Sequence, residues 1–389
     1  MLRCDRNESI ELQKCLSLVV LIALLLATGC RRTQPPGAYR EYAYITCGKS
    51  NTVAVIDVPS LRALTTIPVG HEPTGIAANT RKNEIYVVNT GSGNVSFIDA
   101  ERNTVVATVG VHGAPYYISV AADGARAYVA NSGSANVSVL DLDHRRVVAT
   151  IPVGAAPGLA RVAPDGISVV VSNRGDNTVS LIDAAKLAVR STVAVCSQPE
   201  DIAILPDSSK AFVSCSGSAQ VAAIDLKTDK LLALLDVGQT PVHLALKPDG
   251  GELFVSNFGA QTVSVIETGS NEVGASYLMG DRPVRALVSA DNQVLYVSNF
   301  GSNDISMFNI EDGKLLTEVH VGNQPDGLAL SANQTFLLVL DSGSGDVAVV
   351  RTTQRKYKDI TSTAALYTTI PAGIQPNQIV VKAFLETKR

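Results

Sequence analysis

Residues 115–156 read PYYISVAADGARAYVANSGSANVSVLDLDHRRVVATIPVGAA, and four short runs within them are typical of β-strands. These are residues 117–121, 127–131, 137–141 and 147–153, named runs a, b, c and d. Val, Ile and Tyr recur inside the runs, whereas Gly, Asp and Asn stand between them, as in strands joined by tight turns. The stretch therefore predicts a four-stranded antiparallel sheet.

The same pattern recurs along most of the chain with a period of 42 residues. A marker proline opens each unit at positions 73, 115, 157, 199, 241, 283 and 325, and a last marker, Pro376, follows after 51 residues. Run b occurs eight times, from Tyr44 to Leu338. Four strands per unit of this length are typical of a β-propeller blade.

Several segments resemble the YVTN-type β-propeller repeat, whose unit reads roughly P…PDG…YVTN…VSVID…VG. They include Tyr86-Val87-Val88-Asn89, Val95-Ser96-Phe97-Ile98-Asp99 and Val69-Gly70-His71-Glu72-Pro73. The resemblance covers about residues 42–381 and implies an all-β propeller. It carries little information about function, because one fold supports many activities.

The copy number predicts eight four-stranded blades, with seven as the alternative. The first copy lacks run a, and the last run a (Pro376 to Val381) lacks its own run b. We therefore expect the N-terminal b, c and d strands to be completed by the C-terminal a strand, which removes an exposed sheet edge. The predicted propeller domain spans residues 42–384 and is followed by a tail at 385–389.

Composition excludes some classes of protein. The chain has 389 residues, 46% of them hydrophobic and 17% charged, with a formal net charge of −4. That is enough apolar material for a large core, and disorder is not expected. A strongly basic balance is absent, so no nucleic-acid partner is expected. The chain has no Trp, which argues against propellers of the WD or kelch type.

The N-terminal segment predicts export. Residues 16–27 form an apolar run too short to span a bilayer comfortably and typical of a signal-peptide core. The run ends in Ala27-Thr28-Gly29-Cys30, which resembles the lipobox of bacterial lipoproteins. We expect a signal peptide at 1–29, a lipid on Cys30, a tether at 30–41, and a membrane-anchored location in the cell envelope, facing the periplasm or the cell surface. The alternative is an unmodified Cys30 beside a simple cleavage site.

Positions that repeat in every blade are predicted to serve the blade. The Asp after run c and the Asn ending run b are expected to bond nearby backbone and turn groups. The Gly three residues before the marker proline is expected to supply a positive φ.

Positions that vary between blades are the candidates for function. The residues after each marker proline vary, and in a propeller they ring the mouth of the central channel. Arg161 stands out because five other blades have Ala or Ser at its position. Ordinary loop drift is the alternative explanation. The predicted binding residues at or near the mouth are Tyr116, Tyr117, Arg161, Arg174, Glu200, Asp201, His243, Phe258, Arg285, Phe300, Asp326 and Gln378.

Two cysteines replace repeated residues in one blade. Cys196 takes the Gly position and Cys215 the Asn position, at the same end of the a–b hairpin. Because disulfides persist in exported proteins, we expect a Cys196–Cys215 bridge, the alternative being two reduced packing residues. Cys47 is expected to be unpaired. No CxxC or CxxCH motif occurs, which argues against c-type haem attachment or a paired zinc site.

Two classes of function remain open. None of the five His lies in a metal or catalytic motif, and no GxSxG elbow occurs. We expect a monomeric binding scaffold without cofactor or metal, which engages a protein, glycan or small molecule at the channel mouth. The alternative, implied by resemblance to lactonase, nitrite reductase and quinoprotein dehydrogenase propellers, is a hydrolase or a redox-cofactor-binding propeller. In that case His243, Arg285 and Asp201 are the residues expected to act.

Overall fold

The computed structural model describes residues 38–352, 355–356, 359–360 and 364–386, and these form short β-strands and one 3-10 helix, Gly48–Ser50. The strands are β1 (Tyr39–Cys47), β2 (Thr52–Asp57), β3 (Arg62–Pro68), β4 (Pro73–Ala78), β5 (Glu84–Asn89), β6 (Asn94–Asp99), β7 (Thr104–Gly110), β8 (Pro115–Val120), β9 (Arg126–Asn131), β10 (Asn136–Asp141), β11 (Arg146–Pro152), β12 (Pro157–Val162), β13 (Ser168–Asn173), β14 (Thr178–Asp183), β15 (Ala188–Ala194), β16 (Pro199–Ile204), β17 (Lys210–Cys215), β18 (Gln220–Asp225), β19 (Lys230–Asp236), β20 (Pro241–Leu246), β21 (Glu252–Asn257), β22 (Thr262–Glu267), β23 (Glu272–Leu278), β24 (Pro283–Val288), β25 (Val294–Asn299), β26 (Asp304–Asn309), β27 (Leu315–His320), β28 (Pro325–Leu330), β29 (Phe336–Asp341), β30 (Asp346–Arg351), β31 (Arg355–Lys356), β32 (Asp359–Ile360), β33 (Ala365–Pro371) and β34 (Pro376–Leu385).

The described strands form eight four-stranded antiparallel sheets, and β31 pairs only with β32. Blades 2 to 7 each use four consecutive strands, from β4–β7 to β24–β27, and blade 8 uses β28, β29, β30 and β33. Blade 1 has the order β3-β2-β1-β34, so the C-terminal strand completes the N-terminal sheet. The eight-bladed count and the mode of closure predicted from the period are thus confirmed, and the seven-bladed alternative is excluded.

Apolar side chains pack between blades. Each blade interface buries one cluster drawn from two neighbouring sheets, and the cluster of Ala43 and Ile45 with Leu338 and Leu340 joins blade 8 to blade 1. The same position of run b is a fully buried aromatic in five blades: Tyr44, Tyr86, Tyr128, Phe212 and Phe254. Because both faces of each sheet are buried, the ring needs few charged residues.

The repeated Asp residues cap turns as predicted. The Oδ1 atom of Asp99 accepts bonds from the N–H groups of Glu101 (2.8 Å) and Arg102 (3.2 Å). Asp183 does the same for Ala185 (3.0 Å) and Lys186 (2.9 Å).

The repeated Gly residues serve a different purpose from the one predicted. Positive φ falls instead on the residue just before the marker proline, as at Glu72 (51°) and Gln375 (58°). A Cβ on Gly70 would lie 2.7 Å from the side chain of Asn89, and Gly154 stands in the same relation to Asn173. These glycines are required for close packing against the Asn that ends the neighbouring strand.

In blade 5 a disulfide occupies the place of that Gly–Asn contact. Cys196 and Cys215 are bonded with a Cα–Cα distance of 5.6 Å, which lies in the usual range. Cys47 is free and buried. Burial raises the pKa of the Cys47 thiol to about 11.

The ring corresponds to one compact unit, Arg40–Phe384, and the described residues 38–39 and 385–386 belong to a separate unit. In the described part of that separate unit, the N–H of Glu386 donates to the carbonyl of Ala38 at 3.0 Å. The predicted signal peptide (1–29), the lipidation site Cys30 and most of the tether lie outside the described residues and stay predictions. No membrane-spanning helix is found in the part of the chain that the structure describes.

Candidate functional site

A cavity of about 370 Å³ lies where the innermost strands begin, at the mouth of the channel. Among the described residues, every blade contributes to its lining. Eight predicted residues line it: Tyr116, Tyr117, Arg161, Glu200, Asp201, His243, Arg285 and Gln378.

The position of these side chains follows from the edge of the innermost strand. That strand ends its sheet in every blade, so its free N–H groups point into the channel. A side chain two residues after the marker proline supplies the acceptor for the next blade. Asp201 Oδ2 accepts from the N–H of Leu244 (3.0 Å), and Gln378 Oε1 from that of Ile76 (3.3 Å).

Asp201 is the buried acid of the cavity, with 7% of its side chain exposed. Its Oδ1 accepts from Arg161 (3.3 Å) and from its neighbour's N–H at Ile202 (2.8 Å). Its Oδ2 lies 3.6 Å from His243 Nε2. Burial raises the pKa of Asp201, but His243, Arg161 and the Leu244 N–H outweigh it, so the net pKa lies below its ordinary value. Asp201 is therefore an ionised carboxylate with both oxygens in use.

His243 is neutral, and both of its ring nitrogens are engaged. The Ala286 N–H donates to Nδ1 at 3.3 Å, which places the ring proton on Nε2, facing Asp201. Burial, together with the nearby Arg285 and Arg161, lowers the pKa of His243 to about 4 against the opposing effect of Asp201.

Arg161 carries spare donors. Its Nη2 donates to Tyr117 Oη and to Asp201, each at 3.3 Å, and its guanidinium lies 5.7 Å from the Tyr117 ring centroid. Its Nε is buried and has no partner. Burial lowers the pKa of Arg161, but Tyr117 and Asp201 raise it to a net value above its ordinary one, so the positive charge is retained.

Two further ion pairs involve residues at the mouth. Arg285 donates through Nε to Asp326 at 3.2 Å. Arg174 pairs with Glu200 at 3.3 Å and lies 5.5 Å from the ring centroid of Tyr116. Asp326 and Arg174 thus join the site by contact, although they do not line the cavity.

A second cavity of about 560 Å³ adjoins the first farther along the innermost strands. The two cavities share Arg161, His243, Arg285 and Leu328. Arg161, His243 and Arg285 form a belt, named the charged belt below, that is reached from both sides.

Two predicted residues lie elsewhere. Phe258 and Phe300 pack on each other with centroids 6.2 Å apart, and Arg282 lies 5.9 Å from the Phe258 centroid. Phe300 lines a separate outer pocket instead of the mouth. His71 and His112 do not join His243, since His71 lines another pocket and His112 meets Thr150.

Sequence reasoning omitted part of the lining. Asn377 and the aliphatic residues Val242 and Val284 also face the cavity. All three follow a marker proline, but of the amide and aliphatic side chains in this region the predicted set contains only Gln378. Among the described residues, no group of three or more His, Cys, Asp or Glu side chains could hold a metal ion.

Comparison with known proteins supports the fold. A family model described as "Lactonase, 7-bladed beta-propeller" matches residues 283–366, which cover blade 7 and most of blade 8. A comparison with curated proteins found no match. The chain is thus a β-propeller with partial similarity to the lactonase family, and it departs from that family's description in blade number.

Three solved structures resemble the chain. Hydrazine synthase of Kuenenia stuttgartiensis is 22% identical, with a TM-score of 0.59 over 72% of this chain and 95% of that one. Dihydro-heme d1 dehydrogenase NirN, solved in complex with DHE, is 16% identical, with a TM-score of 0.75 over 91% of this chain and 78% of that one. A functionally unknown protein from Desulfotomaculum acetoxidans DSM 771 is 14% identical, with a TM-score of 0.59 over 87% and 98%. At these identities the likeness concerns the fold.

Proposed function

We propose that this protein is a binding propeller that recognises a small oxyanionic ligand at the channel mouth, with Arg161 and Arg285 as its anchors. One observation carries the proposal. The carboxylate oxygens of Glu200 and Asp201 are bonded within the wall, whereas several donors of these two guanidinium groups have no partner among the described residues.

Each carboxylate oxygen of Asp201 and Glu200 already has a hydrogen-bond partner in the protein. Both oxygens of Asp201 have protein partners. Glu200 accepts from Arg174 through Oε2 and from Ser216 through Oε1, both at 3.3 Å. A ligand cation would therefore find no free carboxylate facing it at Glu200 or Asp201.

The donors remain available. The Arg161 guanidinium donates only through Nη2 and that of Arg285 only through Nε, so Nη1 of Arg161 and both terminal nitrogens of Arg285 have no partner among the described residues. About a third of each side chain is exposed, 35% for Arg161 and 34% for Arg285. Two guanidinium groups with free N–H groups suit a carboxylate or a similar oxyanion.

The geometry favours binding over hydrolysis. A general base needs a free acceptor nitrogen, and His243 has none because Nδ1 accepts from Ala286 and Nε2 faces Asp201. No Ser or Cys stands among the described residues that line the mouth cavity, so the usual nucleophiles of acyl transfer are missing there.

Isothermal titration of the purified protein with a panel of small carboxylates tests the proposal. Arg285→Gln should weaken binding of any acid that binds by roughly 10-fold or more, because a charge-assisted hydrogen bond contributes about 1.5–3 kcal/mol. Arg102→Gln is the control, since that arginine is 57% exposed and pairs only with Asp99. The proposal fails if no panel acid binds, or if Arg285→Gln binds as tightly as the wild type.

A redox-cofactor-binding propeller is the second candidate. It is favoured by the similarity to dihydro-heme d1 dehydrogenase and by the two adjoining cavities, which together offer room for a larger group. An absorbance spectrum of protein purified from its native host decides the point. A bound chromophore would replace the small-ligand proposal.

We also propose that the propeller is held at a membrane by a lipid on Cys30. The support is the apolar run followed by Ala27-Thr28-Gly29-Cys30. Cys30→Ser should release the protein into the soluble fraction, and continued membrane association of that variant would refute the anchor.

A further inference from the structure

We infer that the ligand is an apolar carboxylic acid, whose acid group is held at the charged belt and whose aryl or branched-alkyl body lies among aliphatic side chains of the mouth. This inference rests on the proposed function and specifies its ligand class.

An aliphatic collar surrounds the belt. It consists of Ile76, Leu159, Val242, Val284, Leu328 and Ile379. These six residues come from six different blades, so the apolar surface encircles the axis. Five of the six are half-buried, which leaves part of each side chain facing the cavity.

In blades 6 and 7 a residue of the collar directly precedes a residue of the belt. Val242 directly precedes His243, and Val284 directly precedes Arg285, each one residue nearer the marker proline that begins the strand. The valines are therefore closer to the mouth than the charged residues. An acid entering head first would place its carboxylate at Arg161 and Arg285 and its body against the collar.

Two neutral side chains of the lining, Asn377 and Gln378, already use their amide oxygens within the protein. Asn377 donates through Nδ2 to the carbonyl of Pro73 at 2.9 Å and bonds Thr46 through Oδ1. Gln378 Oε1 accepts from the Ile76 N–H. A polyhydroxylated acid would therefore find few partners for its hydroxyl groups here, which makes its burial unfavourable. A zwitterion would lack a free carboxylate for its ammonium group.

Titration of the full protein with acetate, butyrate, hexanoate, phenylacetate and gluconate tests the inference. Each added methylene should lower the Kd about fourfold, the equivalent of burying one CH₂ group, and gluconate should bind no better than acetate. Val242→Thr and Val284→Thr keep the side-chain shape but add a hydroxyl. Each of these variants should weaken the binding of phenylacetate at least threefold. Val148→Thr on outer strand β11, 38% exposed, is the matched control, and melting temperatures verify folding.

The outcomes separate the inference from the proposed function. If gluconate binds as tightly as hexanoate and both depend on Arg285, the inference is wrong and the function stands. If affinity rises with chain length but neither threonine variant weakens binding, the body of the ligand lies outside the collar and the inference is again wrong. If none of these acids binds the wild type, both are overturned.

Discussion

At the residue scale, one side-chain pair explains much of the repeat. In five blades the Asn that ends the second strand donates to a Ser seven residues later, as Asn257 does to Ser264 at 2.9 Å. In the other three blades of the described ring the Asn is replaced, and the Ser is Ala in each of them. The three replaced pairs are Cys47/Ala54, Cys215/Ala222 and Asp341/Ala348. The Ser hydroxyl is therefore present only in the blades in which an Asn side chain donates to it.

This pairing predicts non-additive mutations. Asn257→Ala should lower the free energy of unfolding by about 1–3 kcal/mol, because buried Ser264 and Thr262 lose their donor. Ser264→Ala added to it should cost less than its effect alone, since both partners are then gone. Urea unfolding of the two single variants and the double variant measures this. Strict additivity would contradict the pairing.

Asp341 makes blade 8 sensitive to pH. It is fully buried, its carboxyl oxygens have no hydrogen-bond donor, and Asp346 lies beside it. Burial, with the neighbouring Asp346, raises the pKa of Asp341 from 3.8 to about 8. The folded state therefore keeps a proton that the unfolded chain releases above its ordinary pKa. Stability from this group is full below about pH 4 and is lost as pH rises toward about 8.

Asp341→Asn should remove that pH dependence. The change recreates the arrangement of blade 7, where Asn299 donates to Asp304 at 2.6 Å. We expect it to stabilise the protein by roughly 1–3 kcal/mol at pH 8 and to have little effect at pH 4. Urea midpoints at both pH values measure the difference. Asp143→Asn is the control, since that side chain is 60% exposed, and an equal gain at both pH values would contradict the assignment.

At the scale of the element, the contact between the start of the inner strand and the end of its neighbour is built in two ways. Blade 4 uses Gly154 against Asn173, and blade 5 uses the disulfide of Cys196 and Cys215. The loop that the disulfide closes spans 19 residues. Such a loop corresponds to about 3 kcal/mol of stabilisation.

Reduction of this disulfide should therefore lower stability by roughly 2–4 kcal/mol. The triple variant Cys196→Gly, Cys215→Asn and Ala222→Ser rebuilds the blade 4 contact, with the serine as the acceptor for the new amide. It should be more stable than Cys196→Ser/Cys215→Ser and insensitive to reductant. Denaturation with and without dithiothreitol tests this, and non-reducing peptide mapping should recover the two cysteines in linked peptides. Free thiols at both positions would refute the bridge.

At the scale of the whole molecule, the ring was predictable and the chemistry of its mouth was only partly so. An uninterrupted period of 42 reveals strand number and closure, because each loop length is set by the same packing. Pairings across blades are harder to foresee. The Asp201 carboxylate accepts a bond from the N–H of Leu244, which lies one period plus one residue later in the sequence. This pairing becomes visible only when the innermost strands of neighbouring blades are placed side by side. Phe258 and Phe300 pack on each other, and Phe300 lines a separate pocket, a placement that the repeat alone does not reveal.

Ring closure can be tested by truncation. Deletion of residues 376–389 removes β34 and leaves β1 as an open edge beside an open interface, so we expect aggregation. Size-exclusion chromatography and a melting curve report this. Deleting nine residues within 353–363, which restores the loop length of the other blades, is the control and should leave a monodisperse ring. An unchanged melting temperature for the 376–389 deletion would contradict closure by β34.

The position of β34 at the end of the ring sequence also determines when the ring can close during synthesis. Blade 1 receives its fourth strand only when β34 has been made, more than 300 residues after β1. At typical synthesis rates of about 5–20 residues per second, that interval lasts on the order of tens of seconds. During that time the chain is an unclosed arc with one strand edge waiting for a partner. The mature ring is therefore a product of chain completion, and an interrupted synthesis cannot yield a smaller working version.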